Sequence, residues 1–182
     1  MKKLFFLITI LFSTILFSQE VNIINTGEKV GLENWRIVND DVMGGISKSN
    51  LYLNSNGNLI FEGEVSLKNN GGFASCRLGT KNGEMNGIKS FKIKLKGDGK
   101  IYKFRVSERN GSINYSTNFQ TKKGVWEEIN IPIKELEPTF MGYYSSRAPR
   151  LKIENMRTIG FLISDKQKGY FNLEVMYVKG VL

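Results

Sequence analysis

Two neighbouring stretches, residues 35–49 (WRIVNDDVMGGISKS) and residues 61–77 (FEGEVSLKNNGGFASCR), decide how this chain folds. Each stretch places amide or carboxylate side chains and a Gly-Gly pair between alternating apolar residues. Glycine allows a positive φ or a close backbone approach that a side chain would block, and short polar side chains hydrogen-bond to turn backbones. The pattern therefore predicts two tight polar turns held against β-strands.

Alternation of apolar and polar residues continues along most of the chain. It is clearest in residues 88–96, where Phe91, Ile93 and Leu95 share one face and lysines occupy the other. A run of Asn, Ser and Gly at residues 54–58 separates two alternating segments and predicts a hairpin. About nine or ten short strands are expected, with no helical periodicity after residue 18. The pattern predicts an all-β fold, a single jelly-roll β-sandwich over residues 19–182.

Two connections complete this prediction. Residues 97–100 (GDGK) are expected to form a tight turn, with Asp98 at the tip of a hairpin. Residues 134–150 contain two prolines, a glycine and the pair Tyr143-Tyr144. Because proline interrupts a strand ladder, this segment is expected to be a long surface connection.

The first 18 residues have the pattern of a secretory signal peptide. Lys2 and Lys3 precede an apolar run over residues 4–17, which is shorter than the roughly 20 residues that cross a membrane as a helix. We expect cleavage near Ser18, with no transmembrane segment in the mature chain. The protein is therefore expected to be exported, to the periplasm or the extracellular space.

The charge and composition of the chain limit the classes of binding partner that we expect. The chain has 26 Lys and Arg against 17 Asp and Glu, a formal net charge of +9. The lysines are scattered singly along alternating segments, which is typical of solvated strand faces and which we favour over a dedicated anion site. No nucleic-acid partner is expected.

The chain contains no histidine, which excludes Ser-His-Asp and Cys-His catalysis and histidine-ligated metal sites. Cys76 is the only cysteine, so no internal disulfide is possible, and its apolar surroundings predict a buried, inert thiol. Hydrolysis of a glycan would need two carboxylates facing across a cleft. The sequence does not place such a pair, so a glycan-acting enzyme is the third hypothesis and a non-catalytic domain is the prediction.

The polar turns supply the first candidate binding residues: Asn39, Asp40, Asp41, Met43, Gly44, Gly45, Asn69, Asn70, Gly71 and Gly72. Asp40 and Asp41 could bind a hard cation such as calcium through their carboxylates. The favoured alternative is that these side chains satisfy local backbone N–H groups. No other cofactor is expected.

Aromatic residues supply the second candidate set. Tyr143 and Tyr144 lie in a segment rich in Pro and Gly, so they are expected to be exposed and able to stack on a sugar ring. Trp35 and Trp126 are expected in the core.

The order of these polar-glycine strings resembles the family of complex I intermediate-associated protein 30. The residues that carry the resemblance are Trp35, Asn39-Asp40, Val42-Met43-Gly44-Gly45, Ser47, Phe61-Glu62-Gly63, Ser66, Asn69-Asn70-Gly71-Gly72-Phe73-Ala74, Gly97-Asp98-Gly99, Tyr102, Trp126, Ile131-Pro132, Asp165, Gly169 and Phe171. They span nearly the whole chain after residue 18. The resemblance implies a galactose-binding-like jelly roll, in agreement with the strand pattern.

The resemblance also implies a role as an assembly factor or chaperone-like partner of protein complexes. Mitochondrial members help to build respiratory complex I without a catalytic step, and plant relatives act in photosystem biogenesis. The export signal would place this chain across the membrane from the hydrophilic arm of a bacterial complex I. Two hypotheses follow: an exported domain that binds a protein partner through the two Gly-Gly turns, or a carbohydrate-binding domain that uses the same face with Tyr143 or Tyr144. The oligomeric state is not predicted.

Overall fold

A computed structural model describes residues 19–25, 31–81, 83–108 and 113–182. The predicted signal peptide, residues 1–18, lies outside the described residues. Within the described ranges the chain forms β-strands joined by short 3-10 turns, with no α-helix. No helical segment in these ranges has the length and apolar character that crossing a membrane requires.

Thirteen strands are described: β1 (Glu20–Asn25), β2 (Trp35–Asn39), β3 (Lys48–Leu53), β4 (Leu59–Val65), β5 (Ala74–Gly79), β6 (Ser90–Lys96), β7 (Ile101–Glu108), β8 (Ile113–Gln120), β9 (Trp126–Pro132), β10 (Glu137–Phe140), β11 (Tyr143–Tyr144), β12 (Met156–Ile163) and β13 (Gly169–Val181). One sheet has the order β3-β4-β13-β6-β9, and β1 also pairs with β13. The other has the order β11-β10-β8-β7-β12-β5-β2. The predicted all-β sandwich is confirmed.

Strict alternation builds the core between the two sheets. In β6 the residues Phe91, Ile93 and Leu95 are fully buried, and the intervening lysines are only partly covered. Across the sandwich, β7 alternates in the same way. The rings of Phe91 and Phe104 lie with centroids 4.9 Å apart and thereby join the two sheets. Such an aromatic pair adds about 0.5–1.5 kcal/mol to the free energy gained from burial alone.

Cys76 lies in this core as a free, fully buried thiol. Burial raises the pKa of the thiol to about 12, so the thiolate that would act as a nucleophile does not form at neutral pH. The prediction of a buried thiol is confirmed.

The predicted surface connection over residues 134–150 is corrected by the structure. It contains β10 and β11, and β10 pairs with β8 as Glu137 opposite Ser116 and Thr139 opposite Asn114. These strands are short, and Pro138 interrupts the polar alternation that would have revealed them. They lie at the edge of the seven-stranded sheet, where proline is tolerated.

The predicted hairpin tip at Asp98 is wrong. Strands β6 and β7 belong to different sheets, so residues 97–100 carry the chain from one sheet to the other. The Asp98 carboxylate accepts hydrogen bonds from the Tyr102 hydroxyl and from the Asn172 backbone N–H, each at 3.1 Å. A hairpin and a crossing use the same Gly and Asp turn chemistry, so the local sequence did not distinguish them.

Candidate functional site

The two stretches that open the sequence analysis meet at Asp40. Each crosses between the sheets, because β2 and β5 belong to the seven-stranded sheet and β3 and β4 to the six-stranded one. Asp40 is 1% exposed, and its carboxylate accepts hydrogen bonds from Ser47 N (2.9 Å) and Ser47 Oγ (2.5 Å). It also accepts from Gly72 N (2.6 Å) and Phe73 N (3.3 Å). We call residues 40–47 with residues 66–73 the Asp40 corner.

The close approach of the Asp40 side chain explains one glycine of each pair. A Cβ on Gly45 would lie 2.3 Å from Oδ1 of Asp40, and one on Gly71 would lie 2.6 Å from Oδ2. The other two glycines have a positive φ, 86° at Gly44 and 140° at Gly72. The glycine pairs therefore serve the packing of a buried carboxylate.

The hydrogen bonds determine the charge of Asp40. Burial on its own would raise the pKa of this carboxyl, but the donors from Ser47, Gly72 and Phe73 outweigh burial and hold the pKa below its usual value. The carboxylate is therefore ionised at neutral pH, with its charge neutralised by donors and not by a cation.

This geometry provides no ligand set for calcium. Both carboxylate oxygens of Asp40 face hydrogen-bond donors, whereas a cation needs oxygen acceptors around it. Asp41 is exposed to solvent. In the described ranges, no group of three or more His, Cys, Asp or Glu converges on one point.

Among the other candidate residues at the Asp40 corner, one makes a hydrogen bond between strands and the others are exposed to solvent. Asn39 accepts a hydrogen bond from Ser49 Oγ at 2.8 Å, so it fastens β2 to β3. Asn69 and Asn70 are exposed in left-handed conformations, with φ of 55° and 57°. Met43 is 76% exposed, and it lies beside other exposed apolar side chains.

The structure does not bring Tyr143 and Tyr144 to the Asp40 corner. The tyrosines form β11 at one edge of the seven-stranded sheet, and β2 forms the opposite edge. Five strands lie between, which at about 4.8 Å a strand separates the two sets by roughly 29 Å. Both tyrosines are exposed, Tyr143 by 80% and Tyr144 by 66%.

A groove of about 600 Å³ lies on the outer face of the seven-stranded sheet, and we call it the sheet-face groove. The side chains that line it include Lys103, Ser116, Asn118, Glu137, Thr139 and Tyr144. Register places them together, because residues directly opposite on paired strands share a face. Tyr144 is opposite Thr139, and Glu137 is opposite Ser116.

A second cavity of about 890 Å³ lies on the other side of Tyr144 and is lined by Tyr115, Pro149 and Leu151 among others. Tyr144 borders both cavities, whereas Tyr143 lines neither. Tyr144 is thus the exposed tyrosine that is placed to contact a ligand in the sheet-face groove.

Sequence reasoning missed a row of arginines on the same outer face. Arg36 is opposite Arg77, Arg77 is opposite Gly160, and Gly160 is opposite Arg105. Arg105 is in turn opposite Ser116 in the sheet-face groove. Arg77 and Arg105 alternate with core residues, which was visible in the sequence, but the alignment of the arginines depends on strand order and register.

Burial affects the two inner arginines. It lowers the pKa of Arg77, and burial followed by the neighbouring charge of Arg77 lowers the pKa of Arg105 to about 10. Both side chains still carry a positive charge at neutral pH. The outer face of the sheet therefore combines polar side chains, an aromatic ring and paired cations.

The two-sheet sandwich with an open groove defines the protein as a β-sandwich binding domain. The family model described as complex I intermediate-associated protein 30 matches residues 24–175. The chain belongs to the complex I intermediate-associated protein 30 family, as its polar-glycine motifs predicted. A comparison with curated protein sequences gave no significant match.

Solved structures with the same fold include carbohydrate-binding modules. A family 11 module from a cellulosomal cellulase of Clostridium thermocellum has a TM-score of 0.68 at 14% identity, covering 91% of this chain and 95% of that chain. A second structure of the family 11 module of Clostridium thermocellum, in complex with a β-1,3-1,4-mixed-linked tetrasaccharide, has a TM-score of 0.66 at 16% identity, covering 89% and 95%. A variant of a family 29 module has a TM-score of 0.56 at 10% identity, covering 91% and 92%. At these identities the likeness shows the fold.

We expect Asp40→Asn to lower the free energy of unfolding by about 1–3 kcal/mol. Asparagine replaces one carboxylate oxygen with an N–H₂ group, which cannot accept a hydrogen bond, so donors that now bind Asp40 lose an acceptor. Chemical denaturation at pH 7 measures the change. The matched control is Asp41→Asn at the exposed neighbour, which we expect to stay within about 0.5 kcal/mol.

The same pair of variants tests the charge of Asp40. A pKa that is lower in the folded state stabilises the fold above the unfolded pKa of about 3.9 and loses this contribution as the pH falls through the folded value. The stability gap between wild type and Asp40→Asn should therefore narrow below about pH 4. A gap that stays constant down to pH 2 would contradict this account.

Proposed function

We propose that this chain is an exported carbohydrate-binding domain that holds a glycan in the sheet-face groove. The observation that carries the proposal is the position of Tyr144 at the end of a groove lined by hydroxyl and amide side chains. Sugar rings present an apolar face that stacks on an aromatic ring and hydroxyl groups that need hydrogen-bond partners. Ser116, Asn118 and Thr139 supply both donors and acceptors.

The fold supports a glycan as the class of ligand. The family 11 module in complex with a mixed-linked tetrasaccharide shares this two-sheet architecture. The proposed activity is binding without catalysis. Glu135 and Glu137 line the groove but are exposed, whereas a general acid for glycoside cleavage needs a carboxyl shielded from water.

A protein partner at the Asp40 corner is the second candidate function. Val42, Met43 and Ile46 are 70%, 76% and 47% exposed, and Leu67 is 39% exposed on the facing stretch. These apolar side chains stand on a corner that the Asp40 hydrogen bonds make rigid, and preorganised apolar surface favours association. The role of assembly factor that the family name suggests would use this surface.

Export is the third part of the proposal. The basic start and short apolar run of residues 1–18 support cleavage near Ser18, which would place the domain in the periplasm or outside the cell. Glycans of the envelope or its surroundings would then be accessible ligands.

We expect Tyr144→Ala to weaken glycan binding about tenfold, because a stacked aromatic ring is a typical binding hot spot. A glycan array identifies the ligand, and isothermal titration calorimetry measures the affinity. Tyr143→Ala is the matched control, since this neighbour is more exposed and lines neither cavity. Equal losses in the two variants would place the ligand elsewhere, and the absence of any glycan hit would overturn the proposal.

For the second candidate, we expect Met43→Ser with Val42→Ser to abolish co-purification of one defined partner protein while leaving glycan affinity unchanged. Removing two exposed apolar side chains reduces the buried apolar area of such an interface. The control is Val125→Ser. Val125 is 47% exposed and directly precedes β9 in the six-stranded sheet. A partner that is retained by the double variant would contradict this assignment.

Mass spectrometry of the protein secreted by its host tests export. We expect a mature N-terminus within a few residues of Gln19, and no such processing after Lys2→Glu with Lys3→Glu, because the positive charge orients the signal peptide. An unprocessed chain recovered from the cytoplasm would show that the proposed localisation is wrong.

A further inference from the structure

Arg77 and Arg105 are partly buried cations that the described residues do not pair. The Nε atoms of both side chains are shielded from solvent and have no hydrogen-bond partner in the described ranges. None of the ion pairs between described residues involves Arg77 or Arg105. No carboxylate therefore neutralises either guanidinium in the part of the chain that the structure describes.

One strand, β12, lies between the two arginines. Gly160 separates them in the row, and a Cβ at this position would lie 2.0 Å from the carbonyl oxygen of Cys76. The close approach of two backbones thus excludes a side chain that could fill the gap. Strand β12 therefore contributes no side chain between Arg77 and Arg105 on the outer face of the sheet.

Such an arrangement is unfavourable in the absence of a ligand. Taking a charged group out of water is costly unless hydrogen bonds and an opposite charge compensate, and two like charges side by side add repulsion. Glu137 is the carboxylate in the same row, but Ser116 separates it from Arg105. At two strand spacings, about 10 Å, Glu137 does not provide the missing contact.

The arginine row is continuous with the sheet-face groove. Arg105 is directly opposite Ser116, which lines the groove, and it is two residues along β7 from Lys103, which also lines it. Residues in these relations share a face, with Cα atoms about 5 Å and 7 Å apart respectively. A ligand that occupies the groove and extends toward β5 meets both arginines.

We propose that the sheet-face groove selects acidic glycans, and that a carboxylate or sulfate group of the ligand binds between Arg105 and Arg77. This inference rests on the proposed function and names the ligand class of that same site. A guanidinium presents a planar fork of N–H donors that matches the two oxygens of such an anion. The net charge of the full chain, +9, falls to +7 when Lys2 and Lys3 are removed with residues 1–18, and this positive charge favours the encounter with a polyanion.

The first test compares three probes by titration calorimetry: polygalacturonate, which carries carboxylates, dextran sulfate, which carries sulfates, and the neutral mixed-linked glucan lichenan. We expect at least one acidic probe to bind tighter than lichenan. Arg105→Met and Arg77→Met should each weaken that binding roughly tenfold or more, because each removes a charged hydrogen-bond donor. Arg105→Lys should restore only part of the affinity, since it keeps the charge without the fork.

Lys94→Met is the matched control for charge. It removes the same unit of charge from β6 in the opposite sheet, so it tests whether acidic probes bind merely because the protein is basic. We expect less than a twofold change in affinity for this variant. A loss equal to that of Arg105→Met would overturn the proposal in favour of non-specific attraction.

Thermal unfolding separates a binding role from a structural one. Without ligand, Arg105→Met should melt at or above the wild-type temperature, because a methionine of similar length replaces a partly buried charge whose shielded Nε has no partner. With the acidic probe, the wild type should melt at a higher temperature and the variant should show no such increase. An unliganded variant that melts well below the wild type would show that Arg105 stabilises the fold and would overturn the proposal.

The probes also distinguish failure of this inference from failure of the proposed function. Binding of lichenan with the same affinity as the acidic probes, unaffected by either arginine variant, would overturn the preference for acidic glycans and leave glycan binding in place. If the protein binds none of the three probes and no glycan on the array, both the preference for acidic glycans and the proposed glycan-binding function are overturned.

Discussion

The sandwich depends on carboxylates that fasten the places where the chain passes from one sheet to the other. Asp40 holds two such crossings together, since it lies in the first and accepts hydrogen bonds from the N–H groups of Gly72 and Phe73 in the second. Asp98 lies in a third crossing and binds the backbone of Asn172 in β13. The chain has one cysteine and so no internal disulfide, and the hydrogen bonds to buried Asp40 and partly buried Asp98 connect the sheets instead.

Fixed crossings determine what appears on the outer face of the seven-stranded sheet. Once β5, β12 and β7 lie side by side in one register, residues that are far apart in sequence form straight rows across the sheet. One row contains the arginines and Ser116, and the next contains Thr139 and Tyr144. The candidate ligand surface is therefore a consequence of strand order, whereas the two turns of the Asp40 corner, taken one at a time, are a consequence of local sequence.

This difference explains how much the sequence could predict. Alternation predicted β6 and the hairpin of β3 and β4, because side-chain direction in a strand is a local property. The glycine pairs predicted close approaches, but the approaching group, Asp40, depends on a contact between residues 32 positions apart. Asp98 showed that turn chemistry marks a change of direction without specifying which strand pairs next. The alignment of Arg77 with Arg105 depends on β12, which enters the sheet between them from much later in the chain.

The fold surrounds its buried carboxylates with hydrogen-bond donors but does not provide acceptors for the shielded Nε atoms of two arginines. Glu174, another buried carboxylate, accepts hydrogen bonds from Asn54 and Asn58 at 2.8 and 2.7 Å and pairs with Lys96 at 2.6 Å. These contacts outweigh burial and lower its pKa, as happens at Asp40. At Arg77 and Arg105, which are partly buried, the described residues leave the shielded Nε atoms without a hydrogen-bond partner. Unsatisfied buried groups are rare in native proteins and each needs an explanation, so this contrast supports the proposal that an acidic ligand completes the contacts at the arginine row.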